Sequence, residues 1–256
     1  AVRIAANVAK KMLFEIAAEK LNADPASLES KDGFIFVKGS PDVRISAGEA
    51  AVVSQWGKGK PILASGVYNP PNTDLDPETG QGSPFPTYCY ATQIVDIEVD
   101  TETGEVKMLK VYSAHDVGKA IHPSLALGQI YGGVIMGLSY GMMEEMEIDD
   151  KGKVLNPNFG GYYIATTEDV PQIEPIIVEK HEPMGPFGAK SLGEPPHICM
   201  SPAIINAIYD AVGVRIDSLP VTPEKVLNAL KEKVKGKAKP KPKAAAKPAV
   251  KKRKKK

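Results

Sequence analysis

Met184-Gly185-Pro186-Phe187-Gly188-Ala189-Lys190-Ser191-Leu192-Gly193-Glu194-Pro195-Pro196 is the stretch from which the rest of the chain is read. It carries three glycines and three prolines, and an apolar run begins at Ile198. Glycine permits positive φ and close backbone approach, whereas proline fixes φ and removes a donor. The path of this loop is therefore dictated residue by residue. Its one carboxylate, Glu194, stands between Gly193 and Pro195-Pro196, where the backbone has little freedom. Residues 201–213 then read as a helix, with Ser201 as N-cap, Pro202 at the first helical position and Gly213 as the stop. Apolar residues at 204, 205, 208, 211 and 212 give that helix one buried stripe. A carboxylate just ahead of an anchored helix serves either site chemistry or capping, and spacing alone favours capping.

Composition sets the outer bounds. The 256 residues, 43% apolar, suffice for one large domain or two small ones. The net charge of +1 conceals an asymmetry: residues 231–256 hold 14 Lys/Arg against one acid, leaving an acidic body. That Lys/Pro/Ala-rich tail cannot bury enough apolar surface to fold and is expected to be disordered. It has no aromatic residue for base stacking, so nucleic acid is not its expected partner; an anchoring or docking extension is. Cys89 and Cys199 are far apart and lack Cys-x-x-Cys spacing, which fits a reducing compartment. With no secretory leader pattern and no membrane span in the run 125–143, the expected location is cytoplasmic.

Working outward, residues 1–21 read as an amphipathic helix with Ile4, Val8, Leu13, Ile16 and Ala17 near one face. It has no N-cap residue before it, which is expected of a chain into which another segment leads. Asp24-Pro25 opens a turn, Phe34–Val37 is a strand, and Ser46-Ala47-Gly48-Glu49 is a capping box for a helix reaching about Gly57. Pro61–Tyr68 reads as a strand, followed to Pro86 by a long loop with five prolines. The clearest β signal is the hairpin of 88–100 with 105–113. A helix over 124–143 carries five glycines; each costs roughly 1 kcal/mol against alanine, so close approach to a backbone or ligand is expected. Asp149–Gly152 is a turn, Ile173–Val178 a strand, and Thr222-Pro223 caps a last helix to about Lys233.

Four stretches, taken in order, resemble the molybdenum hydroxylases, the xanthine dehydrogenase and aldehyde oxidase family. They are Val95–Val106; Ala114-His115-Asp116-Val117-Gly118 through Pro123, with Gly128-Gln129-Ile130-Tyr131-Gly132-Gly133; Gly188–Pro196; and Pro220–Val226. The resemblance spans residues 1 to about 230. It implies an α+β fold, the C-terminal portion of the family's molybdopterin-binding domain over 1–230, with the tail at 231–256 outside it.

The implied cofactor is molybdenum-molybdopterin in its cytosine dinucleotide form. The implied activity is hydroxylation of an N-heterocycle (purine-like) or an aldehyde, with water as oxygen source. In the family, the glutamate matching Glu194 takes a proton from oxygen held by molybdenum. Gln129 and Gly128 would face the pterin, where an amide both donates and accepts. Gly188, Ala189, Lys190 and Gly193 would shape the site through backbone groups, although Lys190 also reads as a salt-bridge lysine. Tyr131 and Met136 depart from the acid and glutamine that many members carry. His115-Asp116 reads as structural, because neighbours on a strand point to opposite faces, and no histidine shows metal-ligand spacing.

The resemblance implies partners as well: an N-terminal molybdopterin-binding half on another chain (or, if this is a fragment, on the rest of a longer one), a [2Fe-2S] subunit, an FAD subunit and a small-molecule substrate. The family's upstream cofactor-gripping loops are not present, so an interface through the first helix and the loop 68–86 is expected. The alternative is a non-catalytic scaffold of the same fold that docks through its basic tail. A carboxylate hydrolase is the weakest reading, because no second carboxylate bears a specific relation to Glu194.

Overall fold

The computed structural model describes residues 1–72 and 74–234, which divide at Pro86/Thr87 into two compact units. The basic tail from residue 235 lies outside the described residues; residues 231–234 continue the last helix.

In the first unit, helix α1 (Val2–Leu21) ends on Asn22 in the left-handed conformation. Asp24 then accepts from the Ala26 N–H at 2.8 Å and opens a short 3₁₀ turn. Strands β1 (Leu28–Lys31), β2 (Phe34–Val37) and β3 (Ser40–Ser46) form an antiparallel sheet in chain order. Only β2 was legible, because β1 and β3 are short, largely polar and exposed. Ser46 Oγ accepts from the Glu49 N–H at 3.0 Å and starts α2 (Ala47–Val52), which continues as one wider turn to Gly57. Ile16, Ala17, Leu28, Ile35, Ile45 and Ala50 make the core. The stripe of α1 is buried toward its C-terminal end, and Ile4 and Val8 are exposed. One expectation fails here. Residues 61–68 form no strand; Gly66 instead lies against the Ala1 carbonyl and the Ala5 N–H of α1.

The second unit is built on β4 (Ala91–Val99) and β5 (Val106–Asp116), an antiparallel pair whose turn is tied by Asp100 accepting from the Glu102 and Thr103 N–H groups. Strand β6 (Gln172–Val178) pairs parallel to β5, giving the order β4-β5-β6. Parallel pairing needs a crossover, and this one contains α3 (Pro123–Met142). His122 Nδ1 accepts from Leu125 N–H and caps α3. After β6 come α4 (Pro195–Ile198), α5 (Met200–Val212) and α6 (Pro223–Val234). Ile130, Val134 and Leu138 of α3 interlock with Met200, Ile204 and Ile208 of α5, over Val95 and Val111 of the sheet.

The expected start of α5 is wrong. Cys199 stays in the right-handed helical region, so α5 begins at Met200, and Ser201 is a buried helical residue whose hydroxyl donates to the Gly137 carbonyl at 3.2 Å. Pro202 is tolerated there because first-turn N–H groups have no helical partner to lose. Gly213 does end the helix, at φ 65°.

Candidate functional site

The loop 179–196 is built from its foundations. At its near end, Lys119 N–H donates to the Gly188 carbonyl at 2.7 Å, and Lys190 N–H to the Val117 carbonyl at 2.9 Å. The loop is thus laid against the end of β5 like a short extra strand. Glycine is required at both contacts: a Cβ on Gly118 would strike the Gly188 carbonyl, and one on Gly188 the His181 ring. Both also hold positive φ, 64° and 85°. Glu182 accepts from Thr87 Oγ1 at 2.6 Å and from Met184 N–H at 3.0 Å. Cys89 Sγ donates to the Ser191 carbonyl at 3.2 Å.

Lys190 Nζ is 2.7 Å from Asp116 Oδ2 and also donates to the Tyr88 carbonyl, with both charged side chains nearly out of solvent. The Asp116 carboxylate raises the Lys190 pKa, outweighing burial. For Asp116, burial pushes the carboxyl up, but the bonds from Lys190 and Gly118 N–H outweigh it and hold the group below its ordinary value.

The far end of the loop is gripped from α3. Gln129 Nε2 donates to the Gly193 carbonyl at 3.0 Å. Three residues on, Pro196 is seated on Gly133, where an alanine Cβ would come within 2.5 Å of the proline Cβ. Gly137 and Gly141 likewise admit Met200 and Ser201. Glu194 lies between these fixings, exposed, at the N-cap position of α4 without a side-chain capping bond. The capping role that spacing favoured is therefore not the one its carboxylate performs.

The seven residues picked from sequence separate into two groups. Gly128, Gln129, Gly193 and Glu194 are exposed, and the Gln129–Gly193 bond brings them onto one face. Gly128 and its neighbour Gly132 face open space. Gly188, Ala189 and Lys190 are instead foundations. Gly188 is buried, and the N–H groups of all three are spent on Gly185, Pro186 and Val117. They set the loop's path and have no backbone donor left for a ligand.

Sequence reasoning missed a polar network beneath α4. Gln93 Nε2 donates to the Pro196 carbonyl at 2.8 Å and to Ser113 Oγ at 2.9 Å, and Ser113 Oγ meets His115 Nε2 at 2.7 Å. Burial depresses the His115 pKa and keeps the ring neutral near pH 7. Gln93 Oε1 and His115 Nδ1 are buried with no partner among the described residues. The signal was there: Gln93, Ser113 and His115 occupy inward positions of strands whose other inward residues, such as Val95 and Val111, are apolar. Among the described residues, no three of His, Cys, Asp or Glu converge to hold a metal ion.

Beside the open face of α3 at Gly128 and Gly132 thus stand the Gln129 amide and the exposed Glu194 carboxylate. The chain belongs to the molybdopterin cofactor-binding domain family, whose model matches residues 1–171, and so to the molybdenum hydroxylases. It is 42% identical over 139 residues to the putative xanthine dehydrogenase molybdenum-binding subunit of Escherichia coli K12, covering 54% of this chain and 18% of that one. With the large subunit of nicotine 6-hydroxylase from Paenarthrobacter nicotinovorans it shares 31% identity over 233 residues, 90% of this chain and 28% of the relative. The solved CO dehydrogenase from Oligotropha carboxidovorans superposes with a TM-score of 0.66 at 25% identity, covering 92% of this chain and 28% of that one. The chain therefore spans 18–28% of the length of these relatives.

The residues present fit molybdopterin. Gln129 keeps an N–H and its Oε1 on an exposed side chain, and the open space at Gly128 and Gly132 admits a ring against the helix backbone.

Proposed function

We propose that this chain supplies the base-bearing part of a molybdenum hydroxylase of the xanthine dehydrogenase and aldehyde oxidoreductase type, with Glu194 as proton acceptor. The carrying observation is an exposed carboxylate, free of any capping bond, on a backbone fixed at Gly193 and again at Pro196. When bound, the molybdenum-molybdopterin cofactor, in its cytosine dinucleotide form, supplies the redox chemistry and the activation of water as oxygen source.

The residues of this chain bind and position. Gln129 presents a donor and an acceptor to the pterin, and Gly128 lets that ring approach α3. Glu194 takes up the proton released as oxygen is transferred, which requires its Oε atoms to stand within hydrogen-bond reach of the reacting oxygen. The fixings at Gly193 and Pro196 limit its search to side-chain torsions alone. The substrate is an N-heterocycle or an aldehyde. The remainder of the molybdopterin-binding subunit completes the pocket, [2Fe-2S] and FAD partners carry the electrons away, and the assembly works in the cytoplasm.

The test is Glu194→Gln in the assembled enzyme. Molybdenum content should stay at the wild-type level while kcat falls by about 10²–10⁴-fold. Wild-type turnover in this variant would make Glu194 a structural residue, and an active assembly without molybdenum or pterin would end the whole reading.

A further inference from the structure

Glu194 owes its position to its backbone, since its carboxylate has no capping bond. Two supports of that backbone come from α3: Gln129 on the Gly193 carbonyl, and Gly133 beneath Pro196. A third comes from the sheet. Gln93 reaches from β4 to the carbonyl of Pro196, a fully buried residue in the first turn after Glu194.

The direction of this contact follows from chemistry. A proline carbonyl only accepts, so the amide nitrogen of Gln93, not its oxygen, must face it. The second N–H of the same amide goes to Ser113 Oγ. Ser113 Oγ accepts from Gln93 and lies 2.7 Å from His115 Nε2, a contact in which either group can be the donor. The three side chains thus form a connected series that ends on the turn that carries Glu194.

We infer that Gln93 is a positioning residue for Glu194, holding the α4 turn through the Pro196 carbonyl. This rests on the reading of Glu194 as the base. Without its donor, the Pro196 carbonyl is left buried and unpaired, and the turn relieves that by shifting. A shift of about 1 Å at a reacting group costs up to about a hundredfold in rate.

The experiment compares Gln93→Met, which keeps the volume and removes the donor, with Gln93→Asn, which draws the amide back by one methylene. Each is measured in the assembled enzyme for amide hydrogen exchange, kcat, KM and molybdenum content. Exchange at residues 197–200 should quicken while the β4–β5 turn is unchanged. The kcat should fall about tenfold or more with KM and metal content held. Gln93→Asn provides the same reading should Gln93→Met not assemble. Unchanged exchange in the α4 turn overturns the inference. So does quickened exchange with wild-type kcat, or a change confined to KM. The reading of Glu194 fails separately, through an active Glu194→Gln enzyme, and the exchange result stands apart from it.

Discussion

Lys190 and Asp116 lie at the foot of the loop 179–196 with side-chain exposures of 6% and 9%. Asp116 has a depressed pKa, so its stabilisation is present above its unfolded value of about 3.8 and is lost as pH falls through the lower folded value. Lys190 has a raised pKa, so its stabilisation is present below about 10.5 and is lost as pH rises through the higher folded value. Between those limits the pair is fully formed. Lys190→Met should therefore cost about 3–5 kcal/mol at pH 7, because a buried carboxylate loses its partner. The deficit should shrink toward acid pH, where that carboxylate is protonated in both states; urea melts at neutral and acid pH measure it. The sequence marked Asp116 as structural, and its Oδ1 does accept from Gly118 N–H at 3.0 Å. Its ion partner was not legible: Lys190 is 74 residues away, and no periodicity encodes a contact at that separation. Glu194 was picked out by its glycine and proline neighbours, which act on the backbone and are readable one residue at a time.

Helix α3 shows what an element adds. Five glycines announced a close approach, but a glycine has no side chain by which sequence could tell what approaches. The structure divides them. Gly133, Gly137 and Gly141 seat the α4–α5 segment, whereas Gly128 and Gly132 face open space. The two groups should respond oppositely to alanine. Gly137→Ala puts a Cβ 2.5 Å from Met200 Cβ and should destabilise by about 1–3 kcal/mol. Gly128→Ala should stabilise the cofactor-free protein by up to about 1 kcal/mol, through helix propensity alone. If that face holds the pterin, the same variant should purify with less molybdenum. Thermal melts and metal analysis check both. Elements misread from sequence failed for related reasons. Residues 61–68 have strand-like composition, but Gly66 lies against the first turn of α1, so the segment packs on a helix with no strand to pair with. Ser201-Pro202 has the form of a helix start, yet the turn before it is already helical.

At the scale of the whole molecule, the two apolar clusters are self-contained, one within residues 1–86 and the other beyond them. The exposed apolar residues are a separate matter. On α1, Val2 is 84% exposed, Ile4 41% and Val8 42%. Periodicity identified that face correctly as apolar, but it cannot say whether this chain or another segment covers it. On the proposed reading, the rest of the subunit does. Ile4→Glu with Val8→Glu should then leave the chain's own melting within about 0.5 kcal/mol and abolish co-purification with the remainder of the assembly; unimpaired co-purification would place the contact elsewhere. The parallel joining of β5 to β6 has a consequence in time. Such a pairing closes only after the long crossover between the strands has been gathered in, and separations of that kind slow folding. The loop bearing Glu194 leaves directly from β6 and is stapled to the end of β5, so its setting waits on that pairing. On the proposed reading, a newly made chain would acquire its cofactor seat late, and whatever delivers the metal must wait for it.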